Sequence, residues 1–471
     1  MFLNIFNFSE GVFSREYRKQ LLTALSVTII TLSHGIALGW VSPMLHKLQK
    51  IGETPFDFAI NVEQASWIGA FTCVGGFIGN ITLGSLLDTI GRKAAIYFLA
   101  IPHLCFWGLV YFASTIEHLY VARILSGISG GGCYIVIPIF LSEIADANVR
   151  GRLTSLFILT INTGILVGYI LSSHLPYKVI PCVAVVLPIL YLTTATWYPE
   201  TPLHLLRRGR YAEAENALKF YRNFEPNSKV EIQQFNTAFA EMKDGIMQQK
   251  ATSGDVSIKD FFTKNALKAF ATGLILMLVN IFSGVFAFVN YMSTIFDKSK
   301  ADLDPDTNTI IIGVVQIVGT YTATVLVDRY GRKILMIVST GSMSLGLAAF
   351  GMYAFFVEEI EVDLSSYSWL PLLLMAFVIF MANVGVNAVS FIILVEVMPA
   401  KIRSKAASIC MTLLSGFAFV MLKVFPILMN VFGLSATMWF CGSVCTIGLF
   451  YVCVFLKETK GKSMSKDDAD S

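Results

Sequence analysis

Two short charged strings interrupt an otherwise apolar chain. Asp88-Thr-Ile-Gly91-Arg92-Lys93 and Asp328-Arg-Tyr-Gly331-Arg332-Lys333 share the spacing Asp-x-x-Gly-Arg-Lys, lie 240 positions apart, and each sits between two apolar segments. A second pair follows the same rule: Glu143 precedes Arg150 by seven residues, and Glu396 precedes Arg403 by seven. Acids and bases at the ends of neighbouring greasy helices make electrostatic latches, not catalysts. Glu143 and Glu396 are the acids that Arg92, Lys93, Arg332 and Lys333 are expected to reach. Such bridges add little to stability, yet they bias a two-state equilibrium. An arginine after a span is, on its own, only a topology signal; the repetition with its acid in register argues for a gating network. The same punctuation once in each half means two related bundles, the build of an alternating-access carrier.

Other reactive combinations are missing. The chain has no nucleophile, base and orienter constellation and no phosphate-cradling loop, which argues against an enzyme. Its 8 cysteines fall in or beside apolar runs at no metal-ligand spacing, so they read as small core residues; no metal and no cofactor is expected. Arg123 lies near the start of an apolar run, where a charge is costly unless it faces a cavity or a partner. Gly127, Gly130, Gly131 and Gly132 after it read as close helix packing. His34, alone on the first apolar run, reads as a packing hydrogen bonder before a titrating group.

The elements that must position these groups are membrane helices. With 471 residues, 55% hydrophobic and 14% charged, the chain is too apolar for a soluble globule. Its formal charge of +3 implies no nucleic-acid partner; the lipid bilayer is its solvent. Runs of about 20 apolar residues are expected near 21–45, 66–87, 95–114, 118–141, 154–174, 179–197, 268–291, 309–327, 334–357, 369–394, 405–429 and 434–456. Residues 1–20 and 457–471 are then tails, 21–198 and 268–456 two six-helix bundles, and 199–267 a linker with short helices. Placing both ends in the cytoplasm puts 28 of the 35 bases inside, and 17 against 5 remains after the linker is discounted. The outside keeps Lys47, Lys50, Lys178, Lys298 and Lys300 beside two acidic loops. No cleavable signal peptide is evident.

Taken together the motifs resemble the sugar porter family of the major facilitator superfamily, which includes glucose facilitators and insect trehalose transporters. The resemblance spans nearly the whole chain. It rests on Gly84 to Lys93, Arg123 with Gly127 and Gly131, Pro138 with Glu143, Arg150 and Gly151, and Pro199-Glu200-Thr201-Pro202. It continues through Asp328 to Lys333, Glu396 with Arg403, and Glu458-Thr-Lys-Gly-Lys-Ser463. The stretch Met398 to Ser408 looks most like the insect trehalose branch. The resemblance implies an all-α fold of twelve membrane helices, a plasma-membrane location and a small sugar or polyol as substrate; the oligomeric state stays open. In proton-coupled members an acid on span 1 sits near the arginine; here Val41 takes that position, which favours uniport over symport.

A sugar pocket needs amides that donate and accept, plus a flat ring. By alignment with the family's pocket, Asn280, Ser283, Asn290 and Gln316 supply polar groups and Phe391 stands where the family has a stacking tryptophan; Asn383 and Asn387 on span 10 add two further amides. Asn383 and Asn387, four apart, are expected to face one way. Ile158, Phe286 and Leu414 replace amides of the family pattern. Those losses keep open a carrier of a less polar organic solute, alongside a proton symporter or a non-transporting nutrient sensor on the same fold.

Overall fold

The computed structural model describes residues 15–52, 56–224, 229–252, 258–399 and 402–458. The side chains of Asp328 and Arg403, most of both tails, and residues 459–463 of the C-terminal motif lie outside the described residues.

Among the described residues, eleven helices are long and apolar enough to cross a membrane: spans 1 to 5 are Arg18–Leu48, Val62–Ile90, Arg92–Phe112, Ile116–Ile144 and Asn148–His174. Spans 7 to 12 are Lys264–Lys298, Pro305–Val327, Arg332–Glu358, Ser365–Leu394, Ser408–Val431 and Gly433–Val454. Span 6 is the shorter apolar helix Val179–Ala195, completing twelve. The fold is all-α, two six-helix bundles. Most spans overrun the expected boundaries, because polar end residues continue the helix past the apolar run. Asn61 and Gln64 form a reciprocal capping box that starts span 2. Asp304, followed by Pro305, caps span 8.

Large apolar side chains such as Leu345, Ile447 and Phe450 stay exposed, as helices in lipid require. Association instead runs through small residues. Gly35 and Gly39 of span 1 abut the backbone of span 5 at Ile161, Gly164 and Ile165, while Gly75 and Gly79 of span 2 abut span 4 at Gly127 and Ile128. Gly131 abuts the Gly76 backbone, Gly130 faces His34 and Gly132 faces Leu83 and Leu99, so the four glycines pack closely, as expected. Spans 7 and 10 are each broken mid-membrane, span 7 at the left-handed Gly284 (φ +90°) and span 10 at Gly385 (φ −129°, ψ −77°). Breaks of this kind free backbone carbonyls at membrane depth, where only protein or a cavity can satisfy them.

The two charged strings share one face. Lys423, late in span 11, reaches Ser66 (2.9 Å) and Glu63 (3.8 Å) at the start of span 2. Earlier in span 11, Ser415 and the Met411 carbonyl meet Asn80, further along span 2, at 3.1 and 3.4 Å. The two helices are therefore antiparallel across the seam between bundles, so the Ile90 end of span 2 and the start of span 11 lie together. The linker helices Pro202–Arg207 and Tyr211–Tyr221 dock on that same face, with Arg208 bonded to the carbonyls of Asp88 and Thr89.

Candidate functional site

Of the latch residues, Arg92 is the most enclosed, with 2% of its side chain accessible. Glu143 Oε1 accepts from its Nη2 (2.9 Å) and Nε (3.1 Å), and Asp88 from Nη2 (3.0 Å). The linker completes the shell: Thr201 donates to Glu143 Oε2 (2.6 Å), His204 Nδ1 lies 2.8 Å from Arg92 Nη1, and Arg207 stands 3.9 Å from Glu143. Burial, and then the adjacent Arg92 charge, hold the His204 imidazole below its ordinary pKa, so it stands as a neutral acceptor.

In the second half Arg332 repeats the core of this arrangement, bonding Glu396 Oε1 through Nη2 (2.9 Å) and Nε (3.1 Å). The glycine of each string has a backbone only glycine adopts readily, Gly91 at φ +94°, ψ 163° and Gly331 at φ +84°, ψ 172°. That turn lets a carboxylate cap the next helix. Glu200 accepts from Lys93 N (3.0 Å), and Glu458 from Arg332 N (2.9 Å) and Lys333 N (3.0 Å). Glu200-Thr201 and Glu458-Thr459 are thus a third repeat, 258 positions apart, visible in the sequence but not read there as one.

Three latch assignments change. Lys93 Nζ bonds the Tyr198 carbonyl (2.7 Å) and Lys333 Nζ the Cys453 carbonyl (3.1 Å), each steered by its helix to a backbone acceptor away from the acid. Arg150 bonds the Ala145 carbonyl (3.2 and 3.3 Å), because Glu143 is already taken by Arg92 and Thr201. Arg123, fully buried, donates to the Ala37 carbonyl on span 1 (3.0 Å) and the Ile68 carbonyl on span 2 (3.1 Å). Two backbone oxygens stand where a carboxylate would serve in a coupled carrier. His34 is buried edge-on to His103 and Tyr134 in the same bundle, over the bare Cα of Gly130.

Four of the five amides expected to make a pocket, Asn280, Asn387, Asn383 and Gln316, belong to one continuous hydrogen-bonded chain. Asn280 Nδ2 meets the Val386 carbonyl (2.8 Å), just past the Gly385 break, and Asn387 Oδ1 (3.5 Å). Asn387 Nδ2 donates to Asn383 Oδ1 (3.2 Å), so the two share a face despite the break. Thr320 links Asn383 (3.4 Å) to Asn162 (2.6 Å), and Asn162 Oδ1 accepts from Gln316 (2.9 Å). Asn162 and Thr320 were not anticipated. Asn162 lies one turn past Ile158 on span 5, so the same face keeps an amide, displaced by four residues. Ser283 turns inward to the Asn280 carbonyl (2.8 Å), and Asn290 donates to the Phe286 carbonyl (2.9 Å). Phe391, one turn beyond Asn387, packs against an apolar group that includes Met277, Leu394 and Met398.

Besides this chain and the bonds of Asn80 to span 11, the two bundles touch on the face opposite the linker. There Ser42 Oγ accepts from Ser293 N (2.9 Å), Tyr169 donates to the Val289 carbonyl (3.0 Å), and Lys47 approaches Asp306 (3.7 Å). His46 and Lys50 both approach Asp297, at 3.8 and 3.7 Å. These bonds close the seam on that face.

Twelve apolar helices in two bundles, meeting through mid-membrane amides and bridged on the face opposite the linker by cross-seam bonds, define a polytopic membrane carrier of the major facilitator fold. Residues 19–470 match the sugar (and other) transporter family, and the chain belongs to it. It is similar to the facilitated trehalose transporters Tret1 of Polypedilum vanderplanki, 31% identical over 95% of this chain and 87% of that one, and of Bombyx mori, 29% identical over 95% and 86%. In fold it matches the E. coli xylose transporter XylE in a partially occluded inward open conformation (TM-score 0.76, 19% identity, 95% of this chain and 99% of that one). The proton:xylose symporter XylE bound to 6-bromo-6-deoxy-D-glucose gives 0.73 at 21% identity, over 95% and 98%. The protein is an integral membrane transporter, not an enzyme.

Proposed function

We propose that the chain is a uniporter for a sugar such as trehalose or a hexose, working by alternating access between residues 21–198 and 268–456. The amide chain carries this reading: it sits where the two halves meet, and its oxygens and N–H groups match a ligand with hydroxyls on every side. Ser283, Asn290 and Phe391 belong to the same pocket in this reading. Family membership and the facilitated trehalose transporters among the relatives support the same substrate class.

Uniport is supported by Arg123. A proton-driven cycle needs a carboxylate that gains and loses charge beside it, and backbone carbonyls do neither. In the cell both termini and the linker face the cytoplasm, in the plasma membrane; the structure described is then the state closed to the outside. Glu143 with Arg92 and Glu396 with Arg332 hold the inner helix ends of each half in register as one half tilts against the other.

Uptake of labelled trehalose and glucose into proteoliposomes, with and without a pH gradient, tests this. Saturable, gradient-independent flux is expected. No flux of any sugar removes the substrate class, and flux that follows the proton gradient removes uniport. A carrier of a less polar solute is the second reading, favoured by Phe286 and Leu414, both packed against the core that spans the two halves. Ligand-dependent thermal stabilisation across a solute panel separates the two.

A further inference from the structure

We propose that Asn162 is a positioning residue that fixes the polarity of the pocket: it holds Gln316 so that the side-chain carbonyl oxygen, not the N–H₂, is offered to the ligand. The inference rests on the sugar-uniport reading and adds a subsite that accepts a hydrogen bond from a ligand hydroxyl.

Which end of an amide faces a partner follows from the bonds around it. A backbone carbonyl can only accept. Asn383 Nδ2 is committed to the Ile379 carbonyl (2.8 Å), which leaves Asn383 Oδ1 an acceptor. Thr320 Oγ1 lies 2.9 Å from the Gln316 backbone carbonyl and 3.4 Å from Asn383 Oδ1, so its one proton goes to an oxygen and its lone pair faces Asn162. Asn162 therefore presents Nδ2 to Thr320 (2.6 Å) and Oδ1 to Gln316, which answers with Nε2 (2.9 Å). Both Asn162 and Gln316 are buried, and Gln316 Oε1 is left without a partner.

Asn290 repeats the pattern independently. Its Nδ2 is spent on the Phe286 carbonyl (2.9 Å), and its buried Oδ1 is unpartnered. Span 5 thus sets the orientation of a group on span 8. A buried carbonyl without a donor is unfavourable, and a ligand O–H relieves that cost. Fluorine in place of that hydroxyl brings no proton.

The test is competition by monofluoro and deoxy analogues against the labelled parent sugar in proteoliposomes, for the wild type, Asn162→Val and Thr320→Val. In the wild type, fluorine at one hydroxyl position weakens competition about tenfold. Either substitution frees the Gln316 amide to rotate, and the penalty falls to about threefold or less, with parent flux still measurable. Parent flux in at least one of the two variants shows that the fold survives. The proposal is overturned if the wild type penalises no fluoro analogue, or if both variants keep the wild-type ratio while losing flux for all sugars alike. Absence of parent flux in the wild type is a different result: it removes the sugar reading and this assignment with it.

Discussion

The latches of the two halves use the same parts in different surroundings. Around Arg92 the pair is nearly sealed, with 2% of the arginine and 6% of the Glu143 side chain accessible; around Arg332 and Glu396 the values are 16% and 19%. The difference is the linker. Thr201, His204 and Arg207 close over the first pair, and among the described residues the chain supplies no equivalent helix over the second. One charge pair repeated in a chain can therefore be structural in one copy and adjustable in the other, because desolvation decides how much its loss costs.

The comparison makes graded predictions. Glu143→Gln leaves Arg92 enclosed with little to balance it and is expected to cost about 3–5 kcal/mol. Glu396→Gln, with 19% of the Glu396 side chain accessible, is expected to cost less, about 1 kcal/mol. Denaturation of the two purified variants checks this, and equal losses would erase the distinction. Gly91→Ala and Gly331→Ala impose the same backbone strain, about 1–3 kcal/mol each. The first also pushes a Cβ to 2.5 Å from Glu200 Oε2, and the second to 2.7 Å from Glu458 Oε2. Melting temperatures that drop in only one half would show that the turns are not equivalent.

Removing a cap, Glu200→Ala or Glu458→Ala, is expected to cost about 1 kcal/mol in either half. Hydrogen exchange at the amides of Lys93 and of Arg332 and Lys333 reads each cap directly. The smallest effect is a pH dependence confined to the first half. Because His204 is held below its ordinary 6.5, the unfolded chain binds the extra proton first. The stability it contributes is complete above that value and declines as pH falls through it. His204→Gln is expected to flatten the decline below about pH 6.5, measured as unfolding free energy against pH.

Most of the fold was legible because lipid demands long apolar runs and because the charged strings repeat at a fixed interval. The acids Glu143 and Glu396 were legible for the same reason. What the sequence hid was tertiary. Lys93, Lys333 and Arg150 carry the right charge in the right register, yet each finds a backbone carbonyl, a choice made by the local helix path. Asn162 escaped notice because the pocket was sought at Ile158, and a one-turn shift keeps the face while changing the residue. The breaks at Gly284 and Gly385 give no signal in hydropathy.

The seam opposite the linker is crossed by Lys47 with Asp306, by His46 and Lys50 with Asp297, and by Lys423 with Glu63. On the linker side, the ion pairs among the described residues stay inside one half and its attached segments. Dissolved electrolyte therefore acts on the bridged side through these cross-seam pairs. At physiological strength mobile ions already blunt attractions beyond about 8 Å. A more concentrated bath is therefore expected to ease parting on the bridged side, where these pairs must come apart.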